Sequence, residues 1–333
     1  MFRRTPVLGL AALLAALLAG AAAQAQDLPP DPHAIWTLQD ENASISTSSL
    51  TDRYYVNGLH LGYVSGTDTV PDALQRAGAA LWNGGQLRYA ISITQQIYTP
   101  FDTAAIVTPP GDEPYAATLM GNFDLYRDTQ DSRSIIGASV GVMGPWALGE
   151  QIQNGFHDLI GQGQNAWHDQ LGNEPVFELT SMRTWRLSMG KVGNLETDAL
   201  PNLAVGLGNL RVYAQTGVAF RIGQGLDSDY GVPRLFPGPN GGDAFNPTRP
   251  FAWYMFLGAD GQGVAHTMVL NGNMWGVSPS AAPIPYLGEV EAGFAIMVWG
   301  MRLTYTQVVQ SQAFQHEKGG PHQFGSLALS VRF

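Results

Sequence analysis

Large apolar residues alternate with small or polar ones along most of the chain. Between positions 87 and 94, every second residue is apolar or aromatic: Leu87, Tyr89, Ile91 and Ile93. A period of two is that of a β-strand, because successive side chains point to opposite faces of the sheet. We therefore expect strands over 87–97 and 301–306, and also over 34–46, 53–65, 114–127, 132–143, 176–190, 200–207, 209–223, 250–259, 262–271, 286–299 and 323–333.

These short segments are separated by Gly, Pro, Asn and Asp, which are typical of turns. Alternation of this kind is typical of a transmembrane β-barrel, but a soluble β-sandwich alternates as well. Three features favour the barrel: a secretory leader, a low charged fraction of 13%, and aromatic residues near the strand ends. The aromatic residues are Tyr54, Tyr55, Tyr98, Trp253, Tyr254, Tyr286 and Trp299.

Residues 1–25 read as a signal peptide. Arg3 and Arg4 precede an apolar core over Val7–Leu18, and Ala23-Gln24-Ala25 fits the cleavage pattern. An N-terminal membrane anchor is the less favoured alternative, because the apolar run is short. Residues 26–333 then form a single domain, in which no apolar run approaches the roughly 20 residues of a membrane helix.

Composition excludes several classes of function. The formal net charge is −10, and no basic patch is available to face phosphates, so we expect no nucleic acid partner. Cysteine is absent, which excludes disulfides and thiolate metal sites.

The last strand ends on Phe333 and resembles the assembly signal of bacterial outer-membrane barrels. We therefore expect the outer-membrane assembly machinery to recognise Phe333.

Three long connections interrupt the strands, at 66–85, 144–175 and 224–249. The third is rich in Pro, Gly and Asp and predicts an irregular loop, with no plug or second domain indicated. The second contains Gln153 and His157, four residues apart, which on a short helix share one face. A lone histidine on a helix is more often an ordinary surface residue than a catalyst, so both interpretations stay open. The apolar residues of this helix lie on another face: Ile152, Phe156, Leu159 and Ile160.

Motifs in the same order across the chain resemble the outer-membrane lipid A 3'-O-deacylase family (LpxR-like). They are ENAS at 41–44, TDRYYVNG at 51–58, IYTP at 97–100, PYAA at 114–117, GPWALGEQIQNGFHDLIG at 144–161, AWHDQLGNEP at 166–175 and LNGN at 270–273. The resemblance implies an all-β fold, a closed antiparallel transmembrane barrel of about twelve strands in the bacterial outer membrane. It also implies hydrolysis of the 3'-linked acyloxyacyl ester of lipid A, with lipopolysaccharide as the partner.

The resemblance further implies roles for particular residues. His157 corresponds to the family's general base, and Asn42 and Gln153 correspond to its catalytic Asn and Gln. Ca²⁺ is implied as a Lewis acid with oxygen ligands. Asp40 is a possible ligand, because strand alternation places it on the face of Asn42 and sends Glu41 to the opposite face.

We also take Tyr98 and Asp52 as candidate substrate-binding residues.

Two departures from the family pattern keep a second hypothesis open. Ala43 stands where the family has Asp, and Val56 stands where it has Thr. The alternative is a catalytically inactive barrel of the same family that binds lipopolysaccharide or has a structural role; a porin is less favoured, because no charged constriction pattern is visible.

Overall fold

A computed structural model describes residues 28–46, 52–235 and 240–333. The signal peptide predicted over 1–25 lies outside these ranges and stays a prediction. No helix within the described ranges combines the length and apolar character needed to cross a membrane.

Antiparallel strands dominate the structure. In chain order they are β1 (Ile35–Asn42), β2 (Tyr54–Val64), β3 (Gln86–Thr99), β4 (Ala116–Asp128), β5 (Ser132–Met143), β6 (Glu174–Trp185), β7 (Leu187–Val192), β8 (Leu195–Gly208), β9 (Arg211–Gln224), β10 (Phe251–Thr267), β11 (Tyr286–Val298), β12 (Met301–Gln310) and β13 (His322–Arg332). Three helices lie in the connections: α1 (Asp72–Leu81), α2 (Gly149–Ile160) and α3 (Met268–Asn271).

The sheet closes on itself, which confirms the predicted barrel of about twelve strands. β1 pairs with β13, and β6 pairs with β8, so that twelve strands form a continuous antiparallel wall. β7 is not counted as a strand of the wall. It pairs only with residues 195–199 of β8, which lie beyond the residues of β8 that pair with β6. Closure leaves no open strand edge in the wall itself, as the hydrocarbon environment requires.

Several predicted strand boundaries were wrong. The predicted strand 34–46 stops at Asn42, because Ala43–Ile45 form a 3-10 helix. Segments 250–259 and 262–271 are one strand, β10, because Gly261 and Gly263 stay paired on both sides rather than forming a turn. The last residues of the second segment form α3 instead. The predicted strand 176–190 is divided, since β6 ends at Trp185 and β7 begins at Leu187.

Outward and inward side chains of the wall differ in polarity. On β1, Leu38 points outward and is 62% exposed, whereas Gln39 and Glu41 point inward and are at most 1% exposed. On β3, Ile91 and Ile93 are likewise outward and exposed. An apolar exterior around a polar interior is the pattern of a barrel that faces lipid.

The barrel has an outer and an inner end. The start of β1 and the C-terminus lie at the inner end, where the main-chain N–H of Phe333 donates to the Ala34 carbonyl. The opposite end carries long connections, including the one that holds α2, and such connections are typically extracellular. The side chain of Phe333 is exposed, and its recognition by the assembly machinery stays a prediction.

The connection between β9 and β10 folds into the barrel interior, although its sequence predicted a plain irregular loop and no plug. Arg234 of this connection forms ion pairs with Glu41 of β1 and Glu291 of β11. Asp229 of the same connection pairs with Arg221 of β9 and with Arg302 of β12. We call the described part of this connection, residues 225–235 and 240–250, the plug.

Candidate active site

Helix α2 packs against the outer surface of the barrel wall, above β3 and β4. Gly149 begins the helix, and a Cβ there would lie 2.5 Å from Ala117 and 2.7 Å from the Trp167 ring. Glycine is therefore required for this close approach. The amide of outward-facing Gln95 donates to the carbonyl of Ala147 at 2.5 Å, which ties the start of the helix to the wall. Gly161, with a φ of +72°, ends the helix in the left-handed conformation.

The two faces of α2 have unequal environments. Gln153 and His157 are buried between the helix and the barrel, as their shared face predicted. The apolar face points away from the protein, with Phe156 50% and Leu159 82% exposed. This face lies beside the apolar exterior of the barrel. An amphipathic helix arranged in this way has the character of an interfacial helix.

The orientation of His157 is set by its main-chain neighbour Gly163. The Nδ1–H of His157 donates to the Gly163 carbonyl at 2.8 Å. Because a carbonyl only accepts, Nδ1 carries a proton and Nε2 is left as the basic nitrogen. Nε2 lies 3.5 Å from Oδ2 of Asp52. A water molecule in contact with both atoms fits that separation.

Asp52 is the carboxylate of the site. Its Oδ1 accepts from the Gln153 amide at 2.7 Å, and its Oδ2 accepts from the Asn165 amide at 2.5 Å. Its main-chain carbonyl accepts from the Thr99 hydroxyl at 3.0 Å. The carboxylate is thus held by two side-chain amides while remaining 31% exposed.

A second layer holds these amides in place. The Gln153 side-chain oxygen accepts from the Trp167 indole at 2.9 Å, so Gln153 links the indole to Asp52. Trp167 stacks against Tyr115 with ring centroids 4.8 Å apart. Asn165 is fixed by Asn154, whose side-chain oxygen accepts from the Asn165 main chain at 2.8 Å.

The structure therefore brings His157, Gln153 and Asp52 together. Asn165 was missed by sequence reasoning; its position just before the AWHDQLGNEP motif was the available signal.

Asn42 and Asp40 lie on the same outward face but form a separate cluster. Asp40 accepts from the Asn57 amide at 2.7 Å, and Asn42 accepts from the Ser44 main chain at 2.7 Å. In the sheet, Asn42 of β1 is opposite Asn57 of β2, which is opposite Ile97 of β3 beneath the helix. The main chain at Asn42 is therefore two strand spacings, or roughly 10 Å, from the main chain at Ile97. Within the described ranges, no hydrogen bond or ion pair joins this cluster to His157.

Tyr98 is placed elsewhere. It points into the barrel and packs against Tyr55 with ring centroids 5.4 Å apart, on the other side of the wall from His157. The two departures from the family pattern, Ala43 and Val56, are both buried. Val56 is the extra residue of a bulge between Tyr55 and Asn57.

The described residues show no cluster of carboxylates that would mark a calcium site. Ca²⁺ takes six to eight oxygen ligands, commonly including several carboxylates. Across the ranges that the structure describes, no three His, Asp or Glu side chains gather as metal ligands. Asp52 and Asp40 are single carboxylates, and amide donors already occupy oxygens of each.

The sequence of residues 9–333 matches the family described as Outer membrane protein LpxR. The chain belongs to the LpxR family. It is therefore an outer-membrane protein, as the sequence predicted. The LpxR structure from Salmonella typhimurium is similar to it, with a TM-score of 0.73 and 18% identity over 90% of this chain and 100% of that chain.

Two other barrels resemble this LpxR-family chain more weakly. The β domain of the Bordetella autotransporter BrkA has a TM-score of 0.40 and 11% identity, over 90% of this chain and 98% of that chain. The translocator domain of the Neisseria meningitidis autotransporter NalP has a TM-score of 0.37 and 9% identity, over 98% of this chain and 94% of that chain. No curated protein sequence matches the chain.

Proposed function

We propose that this protein is a lipid A 3'-O-deacylase, which hydrolyses the 3'-linked acyloxyacyl ester in the outer leaflet. The observation that carries the proposal is the pairing of His157 with Asp52 on the outer, lipid-facing side of the barrel wall. A site in this position meets a lipid substrate without removing it from the membrane. Membership of the LpxR family supports the same conclusion.

Ester hydrolysis needs a base that activates water. In the proposed reaction, Nε2 of His157 takes a proton from a water molecule as the water attacks the ester carbonyl. The Gly163 carbonyl holds the opposite nitrogen in its protonated form. Asp52 stabilises the imidazolium that forms, and the amides of Gln153 and Asn165 keep the carboxylate oriented.

The developing oxyanion needs hydrogen-bond donors. The family resemblance implies Asn42 for this role, but Asn42 lies in the separate cluster described above, so a contact with an oxyanion formed beside His157 would require the two clusters to move together. No step is assigned to calcium, whose involvement stays an expectation from the family resemblance.

The test is mass spectrometry of lipid A from cells that express the protein. We expect the wild type to release the 3'-linked chain, and His157→Asn to abolish the release while the barrel still assembles. His168→Asn is the matched control, because His168 is an exposed histidine of the same outer connection.

Unchanged lipid A with the folded wild type would overturn the proposal and favour the catalytically inactive barrel that Ala43 and Val56 suggest. Repeating the assay with purified protein, with added Ca²⁺ and with a chelator, tests the calcium dependence implied by the family resemblance. We expect equal rates if the described residues suffice for the chemistry; loss of activity on chelation would contradict the metal-free mechanism.

A further inference from the structure

A cavity lies inside the outer end of the barrel, on the opposite side of the wall from His157. Its walls are mainly apolar and aromatic, and its volume is about 60 Å³. A cavity of that size accommodates roughly four to six water-sized groups. The side chains that matter most for its chemistry are Tyr54, Tyr98, Glu113, Leu270, Phe314 and His322.

Glu113 gives this cavity an unusual polar group. The residue is only 6% exposed. Its main-chain N–H donates to Asp112, but among the described residues its carboxyl group has only the like charges of Glu317 and Asp112 nearby and no hydrogen-bond partner. The neighbouring acids differ: Asp112 accepts from the Phe101 main chain at 3.1 Å, and Glu317 accepts from the Ala313 main chain at 2.6 Å. A buried carboxyl group without a partner is costly to ionise, and a cation bound beside it removes that cost.

His322 is a second unsatisfied group in the lining. Its Nε2–H donates to the Tyr55 carbonyl at 2.9 Å, which leaves Nδ1 as an acceptor. Nδ1 is buried and has no partner among the described residues. The hydroxyl of Tyr98 likewise makes no hydrogen bond within the described part of the chain.

The electrostatics of the lining favour a cation. Burial, and then the nearby carboxylates of Glu317 and Asp112, raise the pKa of Glu113 well above its usual range. A cation beside Glu113 relieves this cost. Arg211 also lines the cavity, where it donates to Gln262 at 3.2 Å.

We propose that this cavity binds a primary alkylammonium group on a short aliphatic stem, with Glu113 as its counter-ion. An ammonium offers three donors, which match the three acceptors Glu113, His322 Nδ1 and the Tyr98 oxygen. The rings of Tyr54 and Phe314, with centroids 5.3 Å apart, contribute apolar and aromatic surface for the stem. This site is independent of the proposed deacylase reaction.

The test is calorimetric titration of the full protein in neutral detergent micelles with n-butylammonium, which has five non-hydrogen atoms and suits the cavity. n-Butanol and butyrate are the comparison ligands. We expect saturable binding of n-butylammonium, weaker binding of the alcohol, and none of the carboxylate.

Glu113→Gln is expected to weaken n-butylammonium binding at least tenfold. Asp72→Asn is the control, because Asp72 is an exposed acid at the inner end of the barrel. Ala313→Leu, which narrows the cavity and keeps every charge, should also abolish binding. No saturable binding by the folded wild type, or binding that neither Glu113→Gln nor Ala313→Leu changes, would overturn the proposal.

Discussion

The candidate active site depends on how individual side chains satisfy one another's hydrogen bonds. The motifs predicted His157 and Gln153, and the structure places both on the buried face of α2. Asp52 was predicted as a substrate-binding residue, yet its carboxylate lies beside His157 and accepts from Gln153. Sequence reasoning missed this contact because Asp52 and His157 are far apart along the chain, and only the packing of α2 on the wall brings them together.

Replacing Asp52 with Asn tests its role as a positioning residue. The variant keeps an oxygen that accepts from Gln153, but it removes the negative charge that stabilises the imidazolium. We expect kcat for ester hydrolysis to fall about 10²-fold, the lower end of the range for acid–base catalysis, with little change in KM. The measurement is initial rates on lipid A in detergent micelles.

Asp158→Asn is the matched control, because Asp158 is an exposed acid on the same helix that contacts only Gln164 through its side chain. Asp52→Glu is expected to recover part of the lost rate, since it restores the charge. An equal loss in Asp52→Asn and Asp158→Asn, or a change confined to KM, would contradict the role assigned to Asp52.

Helix α2 shows what periodicity predicts about an element and what it does not. The spacing of Gln153 and His157 predicted their shared face, and the apolar residues were placed correctly on another face. Periodicity alone does not say which face is buried against the protein, because in a membrane protein an apolar face can instead be exposed to lipid. Here the polar face packs against the wall, and the apolar face points outward.

The outward apolar face of α2 is expected to anchor the site in the lipid. Leu159→Asp replaces its most exposed residue with a charge, which opposes insertion into the acyl region. We expect activity on lipid A in vesicles to fall about tenfold, equivalent to about 1.4 kcal/mol and within the contribution of one buried leucine. Activity in detergent micelles and barrel stability should change little.

Val277→Asp provides the comparison, because Val277 is fully exposed in another outer connection and is not part of α2. Similar losses for Leu159→Asp and Val277→Asp in vesicles would argue against anchoring by α2.

For the whole molecule, the closed barrel was predictable and the plug was not. Strand number follows from alternation repeated along the chain, although several boundaries were misplaced, most clearly at the glycines of β10 and at the break after Trp185. The plug depends on ion pairs between residues far apart in sequence, such as Arg234 with Glu41. Local composition carries no sign of such pairs, so Pro and Gly predicted only an irregular connection.

Arg234 is expected to hold the plug in the barrel and to stabilise the wall. Its guanidinium lies 3.1 Å from Glu41 and 2.5 Å from Glu291, and both partners are buried in the interior. Arg234→Met keeps most of the volume but leaves these carboxylates without their cation. Removing one partner of a buried pair costs about 3–5 kcal/mol, because the remaining charge stays buried.

We therefore expect the free energy of unfolding of Arg234→Met in detergent micelles to fall by about that amount, measured by denaturant titration with tryptophan fluorescence. Arg249→Met is the appropriate comparison, because Arg249 belongs to the same connection but pairs with Glu196 at the surface. Surface pairs contribute at most about 1 kcal/mol, so that variant should unfold near the wild-type midpoint. Equal destabilisation by the two substitutions would show that the plug is not held by the buried charges, and that the interior is wet enough to solvate Glu41 and Glu291 without Arg234.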